Sequence, residues 1–298
     1  MTTRALVLGG GGPVGIAWES GLLAGLAEAG VDVSGADSIT GTSAGSAVGA
    51  QLAMGRTPQQ MYAAVAADAS RTGASPTRGN TGGSTAPNLG PLLELMQRAA
   101  TGDVDQIALR REIGAFALAA TTMSEEAFLA TFGQVLANAE AWPHPGYRCT
   151  AVDALTGEFV TWDAAAGVPL NRAVASSCSV PGIYPPITIN GRRYIDGGMR
   201  SGTNADLARG YDVVLVVAVT AGAQGPMAET SRQRLERELA AIREAGGDAI
   251  LVQPDEASLR AFGINLMDFS RRAGAADAGY AQGKVEAARI AERWNGPA

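Results

Sequence analysis

The sequence predicts an α/β fold, a mainly parallel sheet with a helical insertion, in a single domain spanning residues 1–298. Three observations carry that reading. A strand–turn–helix unit occurs twice within the first 54 residues. The late strands are continuous β-branched runs, as expected of parallel strands covered on both faces. Three helical patterns follow one another between residues 91 and 139 with no strand between them, which reads as a cap and not as sheet crossovers.

Taken in order, Arg4 to Gly9 reads as a strand and Val14 to Ala29 as a helix, with Ile16, Leu22, Leu23 and Leu26 at helical intervals and Gly30 closing it. A second strand at Ser38 to Gly41 enters "GTSAG", and Ala44 to Met54 reads as a small-residue helix. From Gly73 to Pro91 the chain turns to Gly, Ser, Thr, Pro and Asn with Arg78 as the single charge, a composition and length that suit a flexible lid over residues 73–90. Helical patterns follow near Pro91 to Ala100, Val104 to Ala120 and Ser124 to Ala139. Strand patterns resume at Tyr147 to Val152 and Glu158 to Trp162, then at Val213 to Val219 and Ala249 to Val252.

Composition narrows the function. Hydrophobic residues make up 46% and charged residues 17%, so a packed core is expected. The net charge is −6, and the 23 basic residues, 22 of them Arg, never form a run, which excludes a nucleic-acid partner. The longest strongly apolar run, Val213 to Val219, has the length of a buried strand, far short of the roughly 20 residues of a membrane span. The N-terminus carries too few apolar residues for a secretory signal, and the expected location is cytoplasmic. Cys149 and Cys178 have no disulfide or metal spacing and read as small buried residues with reduced thiols.

Three motifs carry chemistry. "GGGGPVG", Gly9 to Gly15, contains G-x-G-x-x-G at Gly10, Gly12 and Gly15, with Asp32 and Asp37 near the distance where a dinucleotide fold places its ribose-binding acid. The same glycines suit an oxyanion hole, because their backbones expose N–H groups at the positive end of the following helix, with Pro13 opening it. "GTSAG" matches the nucleophile elbow, in which Gly41 and Gly45 leave room for Ser43 on a sharp turn between strand and helix; N-capping of that helix is the bland alternative. "YIDGGMR" holds Asp196 in what is first of all a turn signal. The sole histidine, His144, stands between two prolines and precedes Asp196, against the Ser, acid, His order of α/β-hydrolases. A carboxylate is then left as the base for Ser43.

These motifs in this order, with "ASSCSVPGIYPP" upstream of Asp196, resemble the patatin-like phospholipase family in its bacterial form, from about residue 4 to residue 200 and on through the strand at Val213. The resemblance implies a three-layer α/β/α patatin-like fold with a helical cap, and a serine acyl hydrolase cleaving lipid acyl esters. It implies Ser43 as nucleophile, Asp196 as its base in a Ser-Asp dyad, and Gly10, Gly11 and Gly12 as the oxyanion-hole loop, with no metal or organic cofactor and with peripheral membrane contact admitted. Val14 stands where the family commonly has Arg or Lys, so the backbone donors are kept while a basic anchor for a phosphate is lost. Leu92, Leu95, Met96, Phe116 and Phe128 of the insertion are expected to line an acyl-chain pocket. Two other classes remain open at this point: a dinucleotide-binding oxidoreductase built on the G-x-G-x-x-G turn, and a non-catalytic lipid-binding regulator.

Overall fold

The computed structural model describes residues 2–71, 89–100, 105–136, 139–222 and 228–296. The expected lid at 73–90 lies, apart from residues 89 and 90, outside the described residues.

Four strands run parallel at the centre: β1 (Arg4–Leu8), β2 (Ser38–Gly41), β7 (Val213–Val217) and β8 (Asp248–Val252). Neither β1 nor β7 alternates apolar with polar residues, because helices cover both faces, and the short β2 is buried along its whole length. β3 (Tyr147–Asp153) joins β2 in parallel, and the hairpin of β5 (Ile187–Ile189) and β6 (Arg192–Asp196) joins β3 antiparallel. β4 (Phe159–Trp162) also pairs with β3, antiparallel. Hydrogen-bonded neighbours run β5, β6, β3, β2, β1, β7, β8.

Strand parity sorts the core into two faces. Leu6, Leu8, Ile39, Tyr147, Leu215 and Val217 point to one side. There they meet α1 (Gly12–Glu28), α2 (Ala44–Ala53), α3 (Pro58–Arg71), α8 (Leu170–Ser177), α10 (Glu256–Phe262) and α11 (Arg272–Trp294). Val7, Val214 and Val216 point the other way, onto Leu235, Leu239 and Ile242 of α9 (Ala228–Glu244). This is the three-layer α/β/α arrangement. Thirteen of the 17 residues of α1 are buried, so this helix is packed all round and is not a surface amphipath. Its fully buried Trp18, Leu22, Leu23 and Leu26 each contribute about 1.5–3 kcal/mol through burial.

The helical insertion divides between the two faces. α4 (Gly90–Ala100) and α5 (Gln106–Ala119) place Leu92, Leu109 and Ile113 against Val152 and Ile195, with Leu95, Met96 and Phe116 at the edge of that cluster, on the α9 side of the sheet. The pattern from Ser124 to Ala139 breaks into α6 (Glu125–Ala130) and α7 (Gly133–Leu136), on the α2 side, and Gly133, which opens the second, has φ 66°. Among the described residues no helix is long and apolar enough to cross a membrane.

Candidate active site

β2 ends at Gly41 and the chain turns through Thr42 and Ser43 into α2. Ser43 has φ 53° and ψ −117°, a conformation that L-residues rarely adopt and that tertiary contacts must hold. Those contacts are present. The Thr42 amide donates to the Leu8 carbonyl at 3.0 Å, and the Ser43 amide to Ser177 Oγ at 3.0 Å. The Ser43 carbonyl accepts from Ser46 Oγ at 2.6 Å and Cys178 Sγ at 3.1 Å. Gly45 donates to the Gly9 carbonyl at 2.9 Å, and α2 lies so close to β1 that a Cβ on Gly45 would overlap the Leu8 carbonyl.

The glycine-rich loop runs beside the elbow. Gly10 packs against Ser43, where an added Cβ would come within 3.3 Å of the serine Cβ. Its amide is committed to the Gly202 carbonyl at 2.8 Å. Gly12 has φ 58° and starts α1. Among the described residues the amides of Gly11, Gly12 and Ala44 have no hydrogen-bond acceptor, and Gly12 and Ala44 line the same cavity as Ser43. Both helix N-termini, α1 and α2, therefore direct unpaired donors at the space in front of Ser43.

Asp196 arrives from the far end of the sheet, and β3 acts as the ruler that places it. Cys149 pairs with Gly41 on one edge and Trp162 on the other, while Ala151 pairs with Asp196 on one edge and Val160 on the other. β4 thus holds one edge, and β2 and β6 share the opposite edge end to end. Asp196 comes two positions beyond Gly41 and on the same face as Cys149, the α2 side. A slip of one residue would send its carboxylate to the α5 side. Asp196 is only 2% exposed, and its carboxyl lies beside the Ser43 side chain and accepts the Gly198 amide at 2.7 Å. Burial pushes its pKa up to about 7, against the lowering effect of the Ser43 side chain and the Gly198 amide.

A buried network fixes the two loops to each other. Thr42 Oγ1 and Thr150 Oγ1 are 3.0 Å apart, and Asn204 Nδ2 donates to Thr42 Oγ1 at 3.0 Å and to the Ser201 carbonyl at 2.9 Å. Beneath the glycine loop, burial drives the carboxyl of Glu19 well above the usual carboxylate range.

Ser43 opens onto a cavity of about 590 Å³, lined chiefly by apolar side chains including Met61, Val65, Met123, Phe128, Leu136 and Tyr184. Phe128 is thus where the sequence places it. Leu92, Leu95, Met96 and Phe116 are not among the lining residues, because α4 and α5 fold onto the opposite face of the sheet. His144 is also apart from the cavity; its Nδ1 accepts the Gly146 amide at 3.0 Å in a partly exposed loop. Both cysteines are free thiols whose pKa values burial raises. Cys178, which sequence reasoning treats as packing, lies on the cavity wall against the Ser43 carbonyl.

Sequence reasoning also misses Ser177 and Asn204. The doubled serine in "ASSCSV" is a faint signal for the first, and the buried left-handed backbone of Asn204 has none. The acids that would serve a dinucleotide have other partners. Asp37 accepts the Arg4 amide at 2.7 Å and Asp32 the Ser34 amide at 2.9 Å, and Ser43 occupies the space against Gly10. Among the described residues no cluster of His, Cys, Asp and Glu could hold a metal.

A three-layer α/β/α domain with a serine-bearing elbow at the carboxyl end of its parallel strands is the class of protein that this fold and site define. The family described as patatin-like phospholipase matches residues 6–209, and the chain belongs to that family. Among solved structures it is similar to VipD from Legionella pneumophila, with a TM-score of 0.49 and 16% identity, over 95% of this chain and 66% of that one. It is also similar to the type III effector protein ExoU, with a TM-score of 0.43 and 16% identity, over 97% of this chain and 53% of that one. The ExoU–SpcU complex from Pseudomonas aeruginosa gives a TM-score of 0.36 and 19% identity, over 95% and 52%. The chain thus spans about half to two thirds of the length of these proteins. No curated protein sequence matches it.

Proposed function

We propose that the protein is a serine acyl hydrolase that cleaves lipid acyl esters through Ser43 and Asp196. The observation that carries this reading is a buried carboxyl, raised to about 7, beside an elbow serine at the mouth of an apolar cavity. A base with a pKa near the working pH combines a large ionised fraction with enough basicity to take the serine proton.

In the first half of the cycle the Ser43 hydroxyl proton passes to Asp196 as Oγ bonds to the ester carbonyl carbon. The amides of Gly11, Gly12 and Ala44 stabilise the oxyanion that forms. Gly10, whose amide is committed to Gly202, shapes the loop and does not donate. Collapse breaks the bond to the leaving alcohol, which takes the proton back from Asp196. Water then repeats the sequence on the acyl-enzyme and releases the acid. The cycle needs no cofactor. The acyl chain occupies the cavity under α6 and α7. Ile264, wholly exposed on the loop that brings Met267 and Phe269 into the cavity, makes a peripheral contact with the lipid surface.

A fluorophosphonate probe labels the wild type, and Ser43→Ala loses both the label and p-nitrophenyl ester turnover while keeping its melting temperature. Persistent labelling in that variant would refute the assignment. His144→Ala keeps its activity within about tenfold, because no proton in the cycle passes through the imidazole. A loss of several orders of magnitude would mean that a histidine and not Asp196 is the base.

A further inference from the structure

The catalytic cavity leaves unexplained a second cavity on the opposite face of the sheet. About 350 Å³ in volume, it is lined by Arg110 and Gln106 of α5, Arg200, Ser201 and Asp206 of the segment after β6, and Arg234, Arg237 and Glu238 of α9. Four guanidinium groups from three separate stretches of chain converge there. The two carboxylates, which attract Arg200 and Arg234, offset only half of that charge. Asp206 is taken by Arg200 in a bidentate pair at 2.9 and 2.7 Å. Glu238 is buried, and its Oε2 accepts Thr203 Oγ1 at 2.6 Å and the Ala205 amide at 2.9 Å.

The other three arginines make neutral contacts. Arg110 Nε donates to the Gly157 carbonyl at 2.7 Å, Arg234 to Gln106 Oε1 at 3.2 Å, and Arg237 Nε to the Gln233 carbonyl at 3.2 Å. Among the described residues none of the three has an ion pair with a carboxylate. Arg232, on the same helix, shows the ordinary alternative: it is exposed and paired with Glu229 and Glu236 at 2.7 and 2.6 Å. Arg110 is buried, Arg234 is half-buried, and Arg237 stands exposed at the rim.

We infer that this cavity is a binding site for a phosphoryl group, independent of the acyl-ester site. With four positive and two negative side chains its wall carries a net charge of +2, which suits a dianion. Guanidinium forks approaching from α5, α9 and the segment after β6 match a tetrahedral group with three oxygens; a planar carboxylate could engage only two of the directions. The volume admits one phosphoryl group with a small polar substituent. Burial and the neighbouring Arg200 and Arg234 depress the pKa of Arg110, a repulsion that a bound dianion would relieve.

The group can reach the site as a soluble phosphate or as a lipid head group, and two arms of one experiment separate these sources. Calorimetry on the full chain with inorganic pyrophosphate, against sodium chloride at equal ionic strength, reads the soluble arm. Co-sedimentation with phosphatidylcholine vesicles, with and without phosphatidylinositol bisphosphate, reads the lipid arm. Binding in either arm is expected to fall by about tenfold or more in Arg234→Gln and in the rim variant Arg237→Gln, and to be unchanged in Arg232→Gln. Equal binding by all three variants and the wild type, or no binding in either arm, overturns the proposal. Neither readout uses turnover, so the result stands apart from the acyl hydrolase assignment.

Discussion

Asp196→Asn is expected to lose ester turnover by at least about 10³-fold and to melt higher than the wild type at pH 8. The loss follows because an amide cannot accept the Ser43 proton. The gain follows from linkage. The carboxyl titrates at about 7 in the fold against 3.8 as an ordinary aspartic acid, so the folded protein holds the proton more tightly than the unfolded chain. Its contribution is fully favourable below pH ~4, declines as pH rises, and reaches its full cost above ~7. The size of that cost is up to about 4 kcal/mol at pH 8, and the neutral asparagine does not carry it. Thermal melts of both proteins from pH 4 to pH 9 should therefore converge at the acid end and separate through neutrality. For the wild type, kcat/KM should rise with pH and reach half its plateau near 7, since only the ionised base takes the proton. A profile already flat from pH 5 would show that Asp196 is not the titrating base. A variant that is inactive and also less stable at pH 8 would show that its charge is compensated in the fold.

Gly45→Ala is expected to be the most damaging single-methyl change at the site, costing about 3 kcal/mol or more. The position is not needed for chemistry. It is where α2 crosses β1, and an added Cβ would overlap the carbonyl carbon and oxygen of Leu8 as well as its Cβ. Relief requires α2 to move, and Ser43 begins that helix while Gly45 donates to the Gly9 carbonyl of the glycine-rich loop. Denaturant melts should show the lost stability, and the esterase rate of the remaining folded protein should fall as well, because elbow and loop separate together. A contrasting change at Gly35, where an added Cβ meets nothing within 4 Å, should leave both unaltered. Equal behaviour of the two variants would mean that the elbow tolerates displacement.

Much of this molecule is legible in its primary structure, and the reasons are local. β2 begins and ends at Ser38 and Gly41, as read, because the short buried segment runs into the glycines of the elbow. The parallel core is visible in Val213 to Val217 because a strand covered on both faces has no polar alternation. The β5–β6 hairpin was also within reach: Asn190 and Gly191, at φ 50° and 76°, form the turn that "ITINGRRYI" encodes. It goes unread when "IDGG" is taken as a turn alone, although Asp196 is the last residue of a strand and the turn follows it.

The chain by itself determined the kinds of group at the site, because elbow, glycine loop and Asp-Gly turn are short-range patterns of backbone conformation. Which of those groups act together was decided only in three dimensions. Ser43 and Asp196 are distant in sequence and meet because β2 and β6 share one edge of β3 in a register that puts the carboxylate on the α2 face. The raised pKa of the Asp196 carboxyl is likewise tertiary, since it comes from burial. The division of the insertion, with Phe128 over the cavity and Leu92 behind the sheet, was beyond the sequence for the same reason. Helical periodicity says which residues face inward, but the face of the sheet they meet depends on where the intervening chain leads.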